Sequence, residues 1–261
     1  MEMVLSLAAQ NLLSPIILCF ALGLIAALAK SDLSFPEAIA KGMSLYLLFA
    51  IGFKGGASIA DHGVDGRLLA ALLAGVVLSA LLPMIAYALL RVMTRLSALD
   101  AAAVAAHYGS ISIVTFVAAT SILQALGIVY EGYMVAVAAA MEAPAIVSAL
   151  WLISRSGEQK GGMDAALMRE ILLNGSIVLL VGSFMIGWAT GEKGLTEIAP
   201  FIISPFKGVL CLFLLDMGLV AGRGLLRARG AVSLPVVAFG LIMPLVGASV
   251  GLLAALVLIL V

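Results

Sequence analysis

A cluster of polar side chains lies in the middle of one apolar run of the chain. The run contains a glycine and three hydroxyl residues, namely Gly109, Ser110, Ser112 and Thr115. Glycine weakens a helix at its position, so we predict a broken helix near 107–113. The half that starts near Ser112 would offer an anion its free backbone N–H groups and the positive end of its dipole. The hydroxyl groups can donate to that anion or coordinate a cation. The alternative is a continuous helix whose small residues pack against a neighbour.

Two acidic residues also lie inside apolar runs. Glu142 and Asp216 each stand alone among apolar side chains, and a carboxylate within a membrane costs about 2.5 to 3.5 kcal/mol by insertion scales, which makes a functional role the default. Pro144 frees a backbone carbonyl close to Glu142, so we expect a cation site there or a support for the broken helix. The alternative is a glutamate that only fixes packing. Lys54 or Lys207 can pair with Asp216 or extend to the membrane interface.

Catalytic chemistry is poorly supported by the residue types. His107 and Ser110 lie only three residues apart, whereas a serine hydrolase draws its serine and its base from separate elements, and the other histidine, His62, falls in a polar loop. The sequence contains no metal-ligand cluster and no glycine loop for phosphates. We therefore predict that the chain is not an enzyme and needs no cofactor. Cys19 and Cys211 fall inside apolar runs and are interpreted as small buried residues.

The composition requires a membrane. Hydrophobic residues make up 64% of the 261 residues and charged residues 11%, with a mean hydropathy of +1.25, whereas soluble domains carry about 25% charged residues. The net charge is zero and there is no basic run, so nucleic acid is not an expected partner. At about 20 residues per span, we predict an all-α integral membrane protein of about eight transmembrane helices. The predicted spans are 11–29, 37–58, 68–92, 99–127, 130–153, 171–190, 198–222 and 234–260.

A polar segment divides these spans into two parts. We predict a first transmembrane repeat of five helices at 1–153, a linker at 154–170, and a partial second repeat of three helices at 171–261. If the loops alternate sides, ten of the lysines and arginines fall on one side and four on the other. Because cytoplasmic loops carry the excess, we expect the linker in the cytoplasm and the N-terminus outside.

An internal repeat relates the two parts. The segment 41–52 can be laid over 207–218 at a constant offset of 166, and Leu82-Pro83 lies in its span much as Met243-Pro244 lies in a later one. Five spans are an odd number, so a second copy would enter the membrane from the opposite side, as in inverted-repeat transporters. The second copy ends after its third span, and we expect a chain that is C-terminally truncated relative to a full two-repeat protein.

Several of these segments, in order, resemble the sodium-dependent bicarbonate permease family. The segments are 11–15, 31–33, 47–56, 107–119 and 206–218. The resemblance implies ten helices in two inverted repeats, with a core domain that holds broken helices and a second domain that mediates trimer contacts. It also implies sodium-driven import of bicarbonate across a bacterial inner membrane, inhibited from the cytoplasm by a PII-like regulatory protein.

The resemblance also implies where the ligands lie. It places bicarbonate and sodium beside the segment matching the family's substrate loop, which is Gly109, Ser110, Ile111 and Ser112. The candidate sodium ligands are Ser110, Ser112, Thr115, Glu142 and Asp216. Two other functions stay open: a sodium- or proton-coupled carrier of another small anion, and a non-transporting membrane scaffold that binds a cytoplasmic regulator.

Overall fold

The computed structural model describes most of the chain. It covers residues 12–63, 65–112, 115–116, 119–120, 123, 126–131, 133–155, 169, 173, 175–228 and 233–260. Within these residues the chain is helical and contains no strand. The helices are α1 (Pro15–Leu28), α2 (Glu37–His62), α3 (Gly66–Met93), α4 (Ala98–Ala106), α5 (Met134–Ala140), α6 (Glu142–Arg155), α7 (Gly175–Ile202), α8 (Phe206–Arg227) and α9 (Leu234–Leu260).

Five of these helices are long and apolar enough to cross a bilayer. They are α2, α3, α7, α8 and α9, of 22 to 28 residues, and about 20 residues suffice for the hydrocarbon core. Helix α1 is apolar but has only 14 residues. The prediction of a multi-pass, all-α membrane protein is therefore confirmed for the described part of the chain, and the count of eight spans stays a prediction.

The boundary between the sixth and seventh predicted spans differs from the structure. A helical segment of α7 ends where the sixth span was predicted to end, because Gly191, with a φ of 57° and a ψ of −150° that glycine can adopt, is not helical; a second helical segment of α7 then runs to Ile202. The predicted seventh span, 198–222, begins instead at Phe206. Pro205 has no N–H to donate to the carbonyl of Phe201, and the Tyr46 hydroxyl donates to that carbonyl at 2.5 Å. This hydrogen bond holds the turn between α7 and α8 against α2.

The fourth and fifth predicted spans, 99–127 and 130–153, are each interrupted. Helix α4 ends at Ala106, and residues 107–112 are non-helical. Helices α5 and α6 are separated at Met141. Pro144 cannot donate to the carbonyl of Ala140, the last residue of α5, which accounts for the break in physical terms. Most of the predicted linker at 154–170 lies outside the described residues.

The helices pack in two groups. The four-helix group consists of α1, α2, α7 and α8, in which α2 packs along α7 and α1 packs along α8. The α3 group consists of α3, α4, α5, α6 and α9, in which α3 contacts each of the others. The two groups meet mainly where α5 contacts α2, with a smaller contact between α5 and α7. One apolar core lies in the four-helix group, around Leu47 and Leu210, and another lies in the α3 group, around Leu90 and Phe239.

Small residues bring the paired helices to backbone contact. A Cβ atom at Gly52 or Gly56 would collide with α7, at the carbonyls of Leu180 and Phe184 respectively. A Cβ atom at Gly218 or Gly222 would likewise collide with α1, at Phe20 and Ala27 respectively. Residue numbers rise together where α2 contacts the part of α7 before Gly191 and where α1 contacts α8, so these segments are parallel. Close approach through small residues is a main source of helix association in lipid.

Candidate functional site

Helix α4 carries the interrupted segment to the surface of α3. It is capped by Ser97, whose hydroxyl oxygen accepts from the N–H of Asp100 at 3.0 Å. Its alanine face, which includes Ala101 and Ala105, is fully buried in the core shared with α3. The helix ends in a tighter turn, because the N–H of Gly109 donates to the carbonyl of Ala106, three residues earlier, at 3.3 Å.

Gly109 lies where only a glycine fits. It is buried, and a Cβ atom there would be 2.6 Å from the carbonyl oxygen of Ser79, 2.6 Å from Cγ of Pro83 and 2.8 Å from Cβ of Ala145. Ser79 and Pro83 belong to α3, whereas Ala145 belongs to α6. The interrupted segment is therefore packed between α3 and α6 at this residue.

A helical turn follows Ser112. The hydroxyl oxygen of Ser112 accepts from the N–H of Thr115 at 3.4 Å, and its carbonyl accepts from the N–H of Phe116 at 2.9 Å. This is the geometry of a serine N-cap. Ser110 is half-buried, whereas Ser112 and Thr115 are exposed. Residues 113 and 114, which also belong to the resembling segment 107–119, lie outside the described residues.

Glu142 stands at the second interruption. It is half-buried and is the first residue of α6, directly after the break at Met141. The free N–H groups and the positive end of a helix dipole stabilise a carboxylate at this position. The carboxylate is thus held at a helix N-terminus inside the predicted fifth span.

The two interruptions border one cavity between the helix groups. A small cavity of about 20 Å³, partly open at the surface, is lined by residues of both groups. Most of the lining is apolar, and Glu142 is its one ionisable residue among those that the structure describes. The lining residues are Leu48, Ile51, Ile111, Phe116, Ala138, Glu142 and Leu180. The structure therefore brings Ile111 and Glu142 together at one cavity.

Asp216 lies elsewhere. It is buried, with 6% of its surface exposed, on α8, which packs against α1 and α2. The ammonium group of Lys54 lies 4.3 Å from the ring centroid of Phe206, a cation–π contact, and Lys207 is exposed. Asp216 is therefore in the four-helix group, apart from the segment around Gly109.

Sequence reasoning missed Ser79 and the break at Met141. Ser79 is fully buried, and its hydroxyl donates to the carbonyl of Met141, 62 residues further along the chain. Two prolines were the available signals: Pro83 has no N–H for the carbonyl of Ser79 four residues earlier, and Pro144 has none for the carbonyl of Ala140. Nothing in the sequence indicated which element Ser79 contacts.

The described residues contain no group of three or more histidine, cysteine, aspartate or glutamate side chains that could hold a metal ion. Among the described residues of the cavity lining, Glu142 carries the side-chain oxygens, and carboxylate oxygens are ligands that hard cations prefer.

The comparisons with known proteins identify one family. The sequence model of the Na+-dependent bicarbonate transporter superfamily matches residues 15–261. No curated protein matches the chain.

Proposed function

The chain belongs to the Na+-dependent bicarbonate transporter superfamily, and we propose that it imports bicarbonate as a sodium-coupled secondary transporter. The observation that carries the proposal is the cavity between the two helix groups, bordered by two helix interruptions and one carboxylate. Interrupted helices supply free backbone groups for ions inside a membrane, where intact helices and lipid offer none.

The bicarbonate site is proposed at the interrupted segment. Gly109, Ser110, Ile111 and Ser112 would hold the anion, with hydroxyl donors and the helical turn after Ser112 supplying N–H groups. Support comes from Ile111, which lines the cavity, and from the cap that Ser112 forms. Since residues 107–112 are not helical, the alternative of a continuous small-residue helix is not supported.

Sodium is proposed to bind beside the anion, with oxygens from Ser110, Ser112, Thr115 and Glu142. Opposite charges held side by side offset each other, so each ligand raises the affinity for the other by the same factor. The position of Glu142 on the cavity supports this assignment. Asp216 is left out of this proposed sodium site, because it lies in the four-helix group, away from the cavity lining.

Alternating access is proposed to move the α3 group against the four-helix group. The backbone contacts at Gly52 and Gly218 support a rigid four-helix group, because paired helices in such contact cannot slide without steric collision. The cavity lies at the boundary between the groups, where relative movement would expose it first to one side and then to the other.

An inverted repeat is proposed to underlie this arrangement. Under the offset of 166, Gly42 corresponds to Gly208, and a Cβ atom at either would meet nothing within 4 Å. Gly52 corresponds to Gly218, and both lie against a carbonyl of a neighbouring helix. Equivalent positions thus have equivalent surroundings, and the repeat exchanges the α1–α8 pair with the α2–α7 pair.

The direction of the helices supports the inversion. The carbonyl of Leu33, in the loop before α2, accepts from Arg223 near the end of α8, and Lys54, late in α2, contacts Phe206 at the start of α8. Helix α8 is therefore opposed to α2, its proposed repeat mate. Helix α1, parallel to α8, is opposed to the part of α7 before Gly191 in the same way. This is the relation that an inverted repeat requires.

The cellular setting of the proposal follows the family resemblance and the charge distribution. We place the protein in a bacterial inner membrane with its N-terminus outside, as a homotrimer inhibited by a cytoplasmic PII-like protein. Large apolar side chains exposed along α9, such as Leu241 and Leu253 at 70% and 62%, support contact with lipid or with neighbouring helices.

Uptake into liposomes tests the function. We expect labelled bicarbonate to accumulate in proteoliposomes under an inward sodium gradient and not under an equal potassium gradient. Protein-free liposomes at alkaline pH control for permeation of carbon dioxide. Uptake that follows a proton gradient and ignores sodium would replace the proposal with a proton-coupled carrier. Absence of uptake, together with binding of a cytoplasmic regulator, would favour the scaffold function.

A further inference from the structure

Ser79 connects elements that are far apart in the sequence. It lies in the middle of α3 with 0% of its surface exposed. A buried hydroxyl group in a membrane must find its partner within the protein. Its partner is the carbonyl of Met141, at the break between α5 and α6. The hydroxyl group therefore fixes α3 to the residue that immediately precedes Glu142.

The backbone of Ser79 meets the other interruption. Pro83 has no N–H for the Ser79 carbonyl, and the Ser79 oxygen lies 2.6 Å from where a Cβ atom of Gly109 would be. The Pro83 ring lies at the same distance from that position. One residue of α3 thus contacts the break at Met141 with its side chain and the segment at 107–112 with its backbone.

Gly75, also on α3, provides a second contact between α3 and the region of the break at Met141. A Cβ atom at Gly75, one turn before Ser79, would be 2.7 Å from Cγ1 of Val137 and 3.4 Å from Cγ of Met141. Helix α5 therefore rests on α3 over the turn that leads to the break. The position of Met141 is set by packing at Gly75 and by the hydrogen bond from Ser79.

We infer that Ser79 is a positioning residue that holds the two helix interruptions in a fixed relation to each other. The inference rests on the proposed function, because the interruptions carry Ser110, Ser112 and Glu142, the proposed ligands. Loss of the hydroxyl group frees the Met141 carbonyl to move, and Glu142 moves with it. Sodium affinity falls as a result, while residues that touch the ions stay unchanged.

The first test measures sodium dependence. In Ser79→Ala, the sodium concentration for half-maximal uptake rises about tenfold, the order of effect of one lost hydrogen bond, and the maximal rate changes less. Ser183→Ala is the matched control, because Ser183 is equally buried, at 2% exposed, and donates within its own helix to Leu180 at 3.0 Å. In Ser183→Ala, the sodium concentration for half-maximal uptake stays at the wild-type value. Equal shifts in both variants overturn the inference.

The second test does not require transport. Amide hydrogen exchange in detergent is expected to accelerate at 107–112 and at 141–145 together in Ser79→Ala, and at neither in Ser183→Ala. Unchanged exchange, or acceleration at one interruption alone, overturns the inference. If the wild-type chain shows no sodium-dependent uptake, the proposed function fails, and the exchange measurement still decides whether Ser79 links the interruptions.

Two further variants protect the test against misfolding. Ser79→Thr keeps the hydroxyl donor but adds a methyl group at a fully buried position, so its exchange at the two interruptions and its sodium half-saturation are expected closer to wild type than those of Ser79→Ala. Ser79→Cys replaces the donor with a weaker one and is expected to give intermediate values, so it substitutes for the alanine variant if that protein is not recovered. A threonine variant as impaired as the alanine variant would show that bulk rather than the hydrogen bond matters, and would overturn the inference.

Discussion

Gly109 is expected to be intolerant of any side chain. The atoms facing its missing Cβ are a backbone oxygen at 2.6 Å and a proline ring at 2.6 Å, neither of which is the flexible end of a side chain. In Gly109→Ala the segment must shift, at a cost of about 1 to 3 kcal/mol, and we expect a lower thermal unfolding midpoint in detergent. Gly42→Ala is the control, since nothing lies within 4 Å of that position. Equal midpoints for both variants would contradict the packing described.

The two acidic residues are expected to differ in their effect on sodium. Glu142→Gln keeps the size of the side chain but removes its charge from the cavity, and we expect half-saturating sodium to rise about tenfold, equivalent to about 1.4 kcal/mol. In Asp216→Asn we expect a change of less than about threefold, because Asp216 lies in the four-helix group away from the cavity lining. Sodium titration of uptake measures both. A larger effect at Asp216 would make it a sodium ligand and displace Glu142 from the proposed site.

The residue types in the sequence were sufficient to identify candidate site residues, but not to predict which of them lie together in the fold. Glu142 and Asp216 look alike there, each a lone acid in an apolar run. The structure separates them, because α6 packs on α3 and α8 packs on α1 and α2. Ser79 gave no signal, since one serine in an apolar helix has many possible partners and only the fold determines that it meets Met141.

At the scale of elements, the repeat predicts paired effects of bulky substitutions. Gly52→Val and Gly218→Val each place a branched side chain against a carbonyl of the neighbouring helix, and overpacking of this kind costs about 1 to 3 kcal/mol or more. We expect both variants to lose thermal stability to a similar extent. The measurement is the fraction of monodisperse protein that remains after heating in detergent.

The controls for that prediction are related by the same offset. Gly42→Val and Gly208→Val carry the same substitution at helical positions with open surroundings, so they report the change in helix propensity alone, which favours valine over glycine by about half a kcal/mol or less. Stability near that of the wild type is expected for both. If Gly52→Val or Gly218→Val were as stable as its control, this result would contradict the backbone contact between the paired helices.

Long helices were predictable because hydrophobic length is a strong signal, and α2, α3 and α9 lie close to their predicted spans. The interruptions were harder. The sequence at Gly109 indicates weakness, but a helix end at Ala106 and a separate break at Met141 depend on what α3 offers as partners. The second helical segment of α7, after the break at Gly191, was not predicted, because this stretch is polar and the polarity suggested a loop.

At the scale of the whole molecule, the proposal fixes which loops share a side of the membrane. Helices α1 and α8 are parallel, and Arg223 near the end of α8 donates to the carbonyl of Leu33, in the loop after α1, at 2.6 Å. The loop at 29–36 and the end of α8 are therefore at one membrane face. The turn at 203–205 begins α8 and is expected at the opposite face, which the inverted repeat requires.

Thiol labelling in intact cells tests this arrangement. In a chain with Cys19→Ser and Cys211→Ser, a single cysteine is introduced by Asp32→Cys or by Ser204→Cys, both at exposed positions. Because the excess of lysine and arginine places the loop at 29–36 in the cytoplasm, we expect a membrane-impermeant maleimide to label Ser204→Cys from outside and Asp32→Cys only after lysis. The reverse pattern would keep the inverted repeat and reverse the orientation. Labelling of both cysteines from the same side would contradict the inversion. It would place the start of α8 on the side of the membrane where α1 ends, and α8 could then not be parallel to α1.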